Sequence, residues 1–189
     1  MPLSTNLIQD IGGSMSVSSG MDSFANNYPV ERQKMSNWCW AASTVSLCRY
    51  YGEGGPLTQQ QFVAAMLNMP ICSNPFPNPA CNKMFDFGIA LSKVGHLYLD
   101  PLEGPLSSQD LANALRSGPV GCQMLIPGVG GHAVVAVDAR ADEAGSLFIR
   151  VADPGDGTVI VTPYAQLRNN YRGMNGHWVR SYRTKSISG

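Results

Sequence analysis

The segment Gln33-Lys-Met-Ser-Asn-Trp-Cys39-Trp-Ala-Ala sets a cysteine between two tryptophans, six residues after a glutamine. A thiol attacks carbon only as its thiolate. The unpaired N–H groups and partial positive charge of a helix N-terminus favour that anion. Cys39 opens an apolar helical pattern, which makes it a candidate nucleophile. Such a nucleophile needs a base within hydrogen-bond reach, and the base needs a third group to fix its tautomer.

The histidines are His96, His132 and His177. His132 follows Pro127-Gly-Val-Gly-Gly131 and precedes Ala133-Val-Val-Ala-Val137. A histidine at a strand start after a glycine-rich turn can face an open cleft, and Gly131 lets a substrate backbone approach closely. His132 is therefore the candidate base, with His96 and His177 read as structural or exposed. The next strand ends in Asp153-Pro-Gly. If it pairs antiparallel with the His132 strand, Asp153 comes beside the imidazole. The rival Asp138 lies six residues along the strand from His132, roughly 20 Å at strand rise, and is out of reach.

Acyl transfer through a thiolate also builds an oxyanion, which needs preorganised donors. The Gln33 side-chain amide and the Cys39 backbone N–H are the candidates. Trp38 and Trp40 are candidate substrate-binding residues along with Gly131. One tryptophan is expected to pack the helix and the other to shield the thiolate–imidazolium pair from water.

These residues need elements to hold them. Apolar positions recur at helical spacing from Cys39 to Tyr51, and Gly52 stops the run. Thr58 caps a second helix, Gln59 to Asn68, ended by Pro70. Residues 71–82 read as a loop. A third helix is predicted over Met84 to Val94, and a fourth from Ser107-Ser-Gln-Asp110 to Arg116. The pattern then changes to strands: Val120 to Ile126, His132 to Ala139, Leu147 to Asp153, Val159 to Thr162 and Trp178 to Arg183. The reading is α+β, a helical N-terminal half packed on an antiparallel β-sheet with a cleft between them. Residues 1–28, rich in Ser, Gly and Asn, read as a mobile arm, leaving 29–189 as one domain.

Composition narrows the function classes. The formal charge is zero and the charged fraction is 14%, so no basic surface large enough for nucleic acid is expected. No apolar run approaches the ~20 residues that span a bilayer. A basic region followed by a hydrophobic block is not visible at the N-terminus. The chain is thus expected to be cytoplasmic, to be exported by a signal-independent route, or to have lost a signal. Five cysteines leave at least one thiol without an internal partner. None forms a CxxC pair and only three histidines exist, so no structural zinc site is expected, and the thiol chemistry implies no cofactor. Cys72 and Cys81 share one loop; a bridge between them would be worth about 2–3 kcal/mol, and two reduced thiols are the alternative. Cys48 and Cys122 read as core residues.

The glutamine six residues before Cys39-Trp40, Gly131-His132 opening an apolar strand and the Asp153-Pro154 strand end resemble the papain-like cysteine peptidases. The likeness is to their short bacterial forms, the C39-like and AvrRpt2-like groups, over roughly residues 29–183. The resemblance implies a papain-like fold in which Cys39 is the nucleophile, His132 the general base and Asp153 its orienting carboxylate. It implies that Gln33 lines the oxyanion hole, and it favours the Cys72–Cys81 disulfide. The chain departs from plant-type and lysosomal papains in its short Cys–His gap, in Asp rather than Asn as third member, and in Ser36-Asn-Trp-Cys-Trp40 where those carry Cys-Gly-Ser-Cys-Trp. Substrate preference is therefore not transferred from them.

The leading expectation is a thiol hydrolase acting on peptide or isopeptide bonds of a protein or peptide substrate. The same acyl-thioester chemistry serves protein deamidation, transglutamination or peptidoglycan amide hydrolysis. A catalytically silent peptide-binding module is the alternative from another class. The resemblance includes bacterial effectors delivered into other cells, a setting that would bring an inhibitor or immunity protein as partner. The sequence leaves the oligomeric state open.

Overall fold

The computed structural model describes residues 27–52, 57–76 and 78–187. Among them are five α-helices: α1 (Cys39–Tyr50), α2 (Gln59–Leu67), α3 (Phe87–Lys93), α4 (Ser108–Leu115) and α5 (Tyr164–Asn169). The strands are β1 (Leu102–Glu103), β2 (Val120–Ile126), β3 (Gly130–Ala141), β4 (Leu147–Asp153), β5 (Thr158–Pro163) and β6 (His177–Arg183). They form one antiparallel sheet in the order β1-β6-β2-β3-β4-β5. The chain is α+β, helices followed by a sheet, as the sequence pattern predicts.

The apolar run of β3 is continuous because both faces of the sheet are covered. Ala133, Val135 and Val137 join the cluster that includes Val45, Leu47 and Phe62 from the helical half. Val134 and Ala136 join a second cluster on the other face, with Leu111 of α4 and Leu167 of α5. Helix α1 lies between the helical half and the sheet, so every residue from Cys39 to Cys48 is buried. Its polar residues are satisfied within the core. Thr44 donates to Trp40 O and Ser46 to Ala42 O, while Ser43 donates to Ala133 O across to β3. A buried hydroxyl without such a partner would be costly.

Local signals set the other ends. Thr58 and Gln61 form a reciprocal capping box at α2, and Ser107 caps α4 through Asp110 N. The third helix starts later than the predicted Met84, because Asp86 is the cap and accepts from Ile89 N. Lys83 to Phe85 precede the helix without regular structure, and Lys83 O accepts the Trp40 indole N–H. The predicted loop 71–82 contains two short 3-10 turns, Pro70–Ser73 and Pro79–Cys81, and Cys72 and Cys81 are joined by a disulfide.

The expected arm 1–28 lies outside the described residues except for its last two. Of these, Tyr28 is buried and packs on Tyr50 with ring centroids 5.5 Å apart.

Candidate active site

Cys39 is the first residue of α1, and the N-terminus of that helix has no side-chain cap. Its first-turn N–H groups and the helix dipole are thus directed at the sulfur's surroundings. The loop leading into it is pinned to residues 81–83. Asn82 Oδ1 accepts from Asn37 N, Asn82 O accepts from Asn37 Nδ2, and Asn82 Nδ2 donates to Ser36 Oγ. Trp38 Nε1 donates to Cys81 O at 2.8 Å. The disulfide therefore ties down the strip on which the nucleophile's loop is laid.

His132 stands near the start of β3 and Asp153 ends β4. The antiparallel register pairs Val135 with Ala152, so the end of β4 lies beside the start of β3. His132 Nε2 and Asp153 Oδ1 are 2.7 Å apart. The Cys39 side chain lies close enough to the same imidazole to interact with it electrostatically. With Nε2 taken by the carboxylate, Nδ1 is the nitrogen left for sulfur. Asp138 instead pairs in register with Arg150 and lies 3.6 Å from Arg140 Nε.

The electrostatics follow from this line. Burial opposes a charge on His132, but its hydrogen bond to Asp153, its interaction with Cys39 and the charges of both outweigh burial and raise its pKa to about 9. Burial likewise opposes the Asp153 carboxylate. The His132 bond and charge, the Tyr171 hydroxyl and the Gly155 N–H overcome it and lower the pKa to about 2. The imidazolium–carboxylate pair is thus the resting form across the neutral range.

A cavity of about 420 Å³ opens beside Cys39, with Trp40, Met84, Phe85, Gln123 and Gly131 among its walls. A Cβ on Gly131 would come within 3.0 Å of Gln123 Nε2 and 3.8 Å of Met84 Cε, so a side chain there would crowd the cavity. Trp40 meets the cavity at its edge while the rest of its ring packs on Phe62 and Phe85.

One expectation needs correction. Trp38 is 0% exposed and cannot touch a substrate; its ring is core and its N–H anchors the Cys81 carbonyl. Gln33 does not present a free amide. Its Nε2 donates to Met35 O at 3.0 Å and to Ser36 O at 2.7 Å, which uses both amide hydrogens inside its own loop. Its Oε1 is buried without a hydrogen-bond partner. The Gln33 backbone N–H donates to Pro154 O, which couples this loop to the Asp153 corner. His96 is buried, stacked on Tyr51 with ring centroids 4.8 Å apart, and His177 is exposed.

The sequence reading missed Tyr171 and Arg172. Tyr171 Oη donates to Asp153 Oδ2 at 2.7 Å, and Arg172 Nε lies 2.9 Å from the same oxygen. They sit in Asn170-Tyr-Arg-Gly-Met-Asn-Gly176, whose turn-forming composition gives no hint of a distant partner.

A family profile described as papain-like cysteine protease AvrRpt2 matches residues 22–169 of the chain. Among solved structures, two crystal structures of the proform of the Amb a 11 cysteine protease, a ragweed pollen allergen, are similar. Each is 16% identical with a TM-score of 0.51. The first match covers 84% of this chain and 63% of that chain, the second 83% and 62%. The chain therefore spans less than two thirds of the allergen's length, and at this identity the likeness is one of fold. No curated protein matches the chain.

Proposed function

The chain belongs to the family of papain-like AvrRpt2 cysteine proteases, and from that premise we propose that it is a thiol protease whose working groups are Cys39, His132 and Asp153. The observation that carries the reading is His132, bonded to Asp153 at 2.7 Å with the Cys39 side chain near enough to interact with the same imidazole. The Cys39 thiolate attacks the scissile carbonyl. The oxyanion that forms takes the Cys39 N–H at the uncapped head of α1. Gln33 becomes the second donor by giving up the longer of its two bonds, the one to Met35 O. His132, protonated at rest, passes its proton to the leaving amine as the oxyanion collapses and the C–N bond breaks, leaving the acyl group on sulfur as a thioester. Water, deprotonated by the now neutral imidazole, then hydrolyses the thioester. Asp153 keeps the imidazole oriented throughout.

The substrate is a protein or peptide whose chain lies across the cavity beside Cys39. Labelling with a papain-type epoxide, followed by intact mass, tests the reading. Wild type should gain one adduct and Cys39→Ala none. No adduct on wild type, or equal labelling of both, would overturn it.

A further inference from the structure

Asp153 has two sides, and the proposed chemistry uses only one. Oδ1 faces His132 Nε2 and also accepts Gly155 N at 2.8 Å. Oδ2 faces away and takes the Tyr171 hydroxyl and Arg172 Nε. Arg172 then reaches Asp156 Oδ2 with Nη1 at 2.9 Å. The Asp153 side chain is 4% exposed, so these four protein groups take the place of water at the carboxylate.

The backbone supplies an independent observation. Arg172 has φ +53°, in the left-handed region that a residue with a Cβ seldom adopts. Such a conformation persists only where its surroundings over-determine it, and it clusters at functional sites. Here the surroundings are the Tyr171–Gly176 bridge and the bond from Asn175 N to Asn170 Oδ1. Gly176 lacks a Cβ where one would lie 3.1 Å from both Ile126 and Tyr171. The turn is closed at the one place that delivers Tyr171 and Arg172 to Asp153.

Resting on the thiol-protease reading, we propose that Tyr171 and Arg172 are positioning residues. Together they fix the carboxylate plane, and through it the His132 ring, and the Arg172 charge limits how tightly the imidazolium keeps its proton. A carboxylate held on one oxygen alone swings about its Cβ–Cγ bond. Two donors on the far oxygen stop that swing. The guanidinium is a permanent cation in a rigid fork, set across the carboxylate from the imidazolium. The groups facing His132 are Asp153 from β4 and Cys39 from α1. Tyr171 and Arg172 stand behind Asp153, and Asp156 behind Arg172. Removing the Arg172 cation leaves the imidazolium with undiminished attraction to Asp153, so it becomes a weaker acid.

Epoxide labelling reads this directly. Sulfur bonds to the epoxide carbon, the C–O bond breaks, and the alkoxide takes the His132 proton. The rate therefore falls as His132 deprotonates. Rates would be measured from pH 5 to 10.5 on wild type, Arg172→Met, Arg172→Lys and Tyr171→Phe, with His132 followed in parallel by NMR titration. In Arg172→Met the alkaline limb should move up by about half to one pH unit. In Arg172→Lys it should return towards wild type, with a maximal rate still several-fold lower because a point charge cannot serve both Asp153 and Asp156. Tyr171→Phe should lower the maximal rate with a smaller shift. Coincident limbs in all four proteins, with only thermal stability changed, would overturn the proposal. If wild type is not labelled at Cys39, the thiol-protease reading fails, and the NMR titration of His132 still decides whether Arg172 tunes it.

Discussion

The Ser43 hydroxyl donates to the Ala133 carbonyl at 3.1 Å, across a sequence separation of 90 residues. Ser43 lies one helical turn beyond Cys39, and Ala133 directly follows His132. This bond therefore sets the distance between the element carrying the nucleophile and the strand carrying the base. Both partners are buried, so solvent cannot replace it.

Ser43→Ala should lower unfolding free energy by about 1–2 kcal/mol, since it leaves a buried carbonyl short of a donor. The epoxide labelling rate of the folded variant should fall as well, because α1 is free to shift against β3. Urea denaturation and labelling kinetics together check this. An unchanged rate would mean that packing alone sets the spacing.

The His132–Asp153 pair also makes stability depend on pH. His132 is raised from 6.5 to about 9, so its contribution is complete below pH 6.5 and is lost as pH rises through 9. Asp153 is lowered from 3.8 to about 2, so its contribution is present above pH 3.8 and is lost as pH falls through 2. Urea midpoints should thus plateau between about pH 4 and 6.5 and decline on both sides. Cys39→Ala should end its alkaline decline at lower pH and lose less stability in total, because one of the two partners holding the His132 proton is gone.

Gln33→Ala should reduce turnover of a cleavable peptide by about 10²–10³, the usual loss for one oxyanion donor. Gln33→Glu tests the same loss without shortening the side chain, since it cannot donate to Met35 O or to an oxyanion. Turnover that stays within a few-fold of wild type in both variants would assign Gln33 to the loop alone.

Replacing Cys72 and Cys81 together by serine should lower stability by about 2–3 kcal/mol. Because Cys81 O receives the Trp38 indole and Asn82 holds Asn37 and Ser36, the variant should also label more slowly at Cys39. Thermal melts and labelling of the double variant, beside wild type treated with reductant, check both effects. Normal labelling in the double variant would show that residues 81–83 keep their place without the bridge.

Strands β2 and β4 match their predicted limits to the residue, since apolar runs bounded by Gly, Pro and Asp leave little freedom. The His132–Asp153 contact was legible for a related reason: the two residues sit near facing ends of adjacent strands. What escaped was tertiary. Trp38 looks like a cleft residue until Cys81 O is found waiting for its N–H. Gln33 looks like a free donor until its loop folds two carbonyls onto it. Helix α5 has six residues and β1 only two, too short for any periodicity to register. Arg172 acquires its meaning only from a turn that brings it to Asp153.

The separations along the chain carry a consequence for assembly. His132 and Asp153 lie 21 residues apart on adjacent strands, so one hairpin unites them. Cys39 reaches that hairpin only when the helical half docks, a contact of long range and hence a late one. An incompletely folded copy therefore holds a base with no sulfur beside it, and a thiol with no base. In refolding, epoxide incorporation should lag behind amide protection of β3 and β4, and simultaneous appearance of the two would contradict this order.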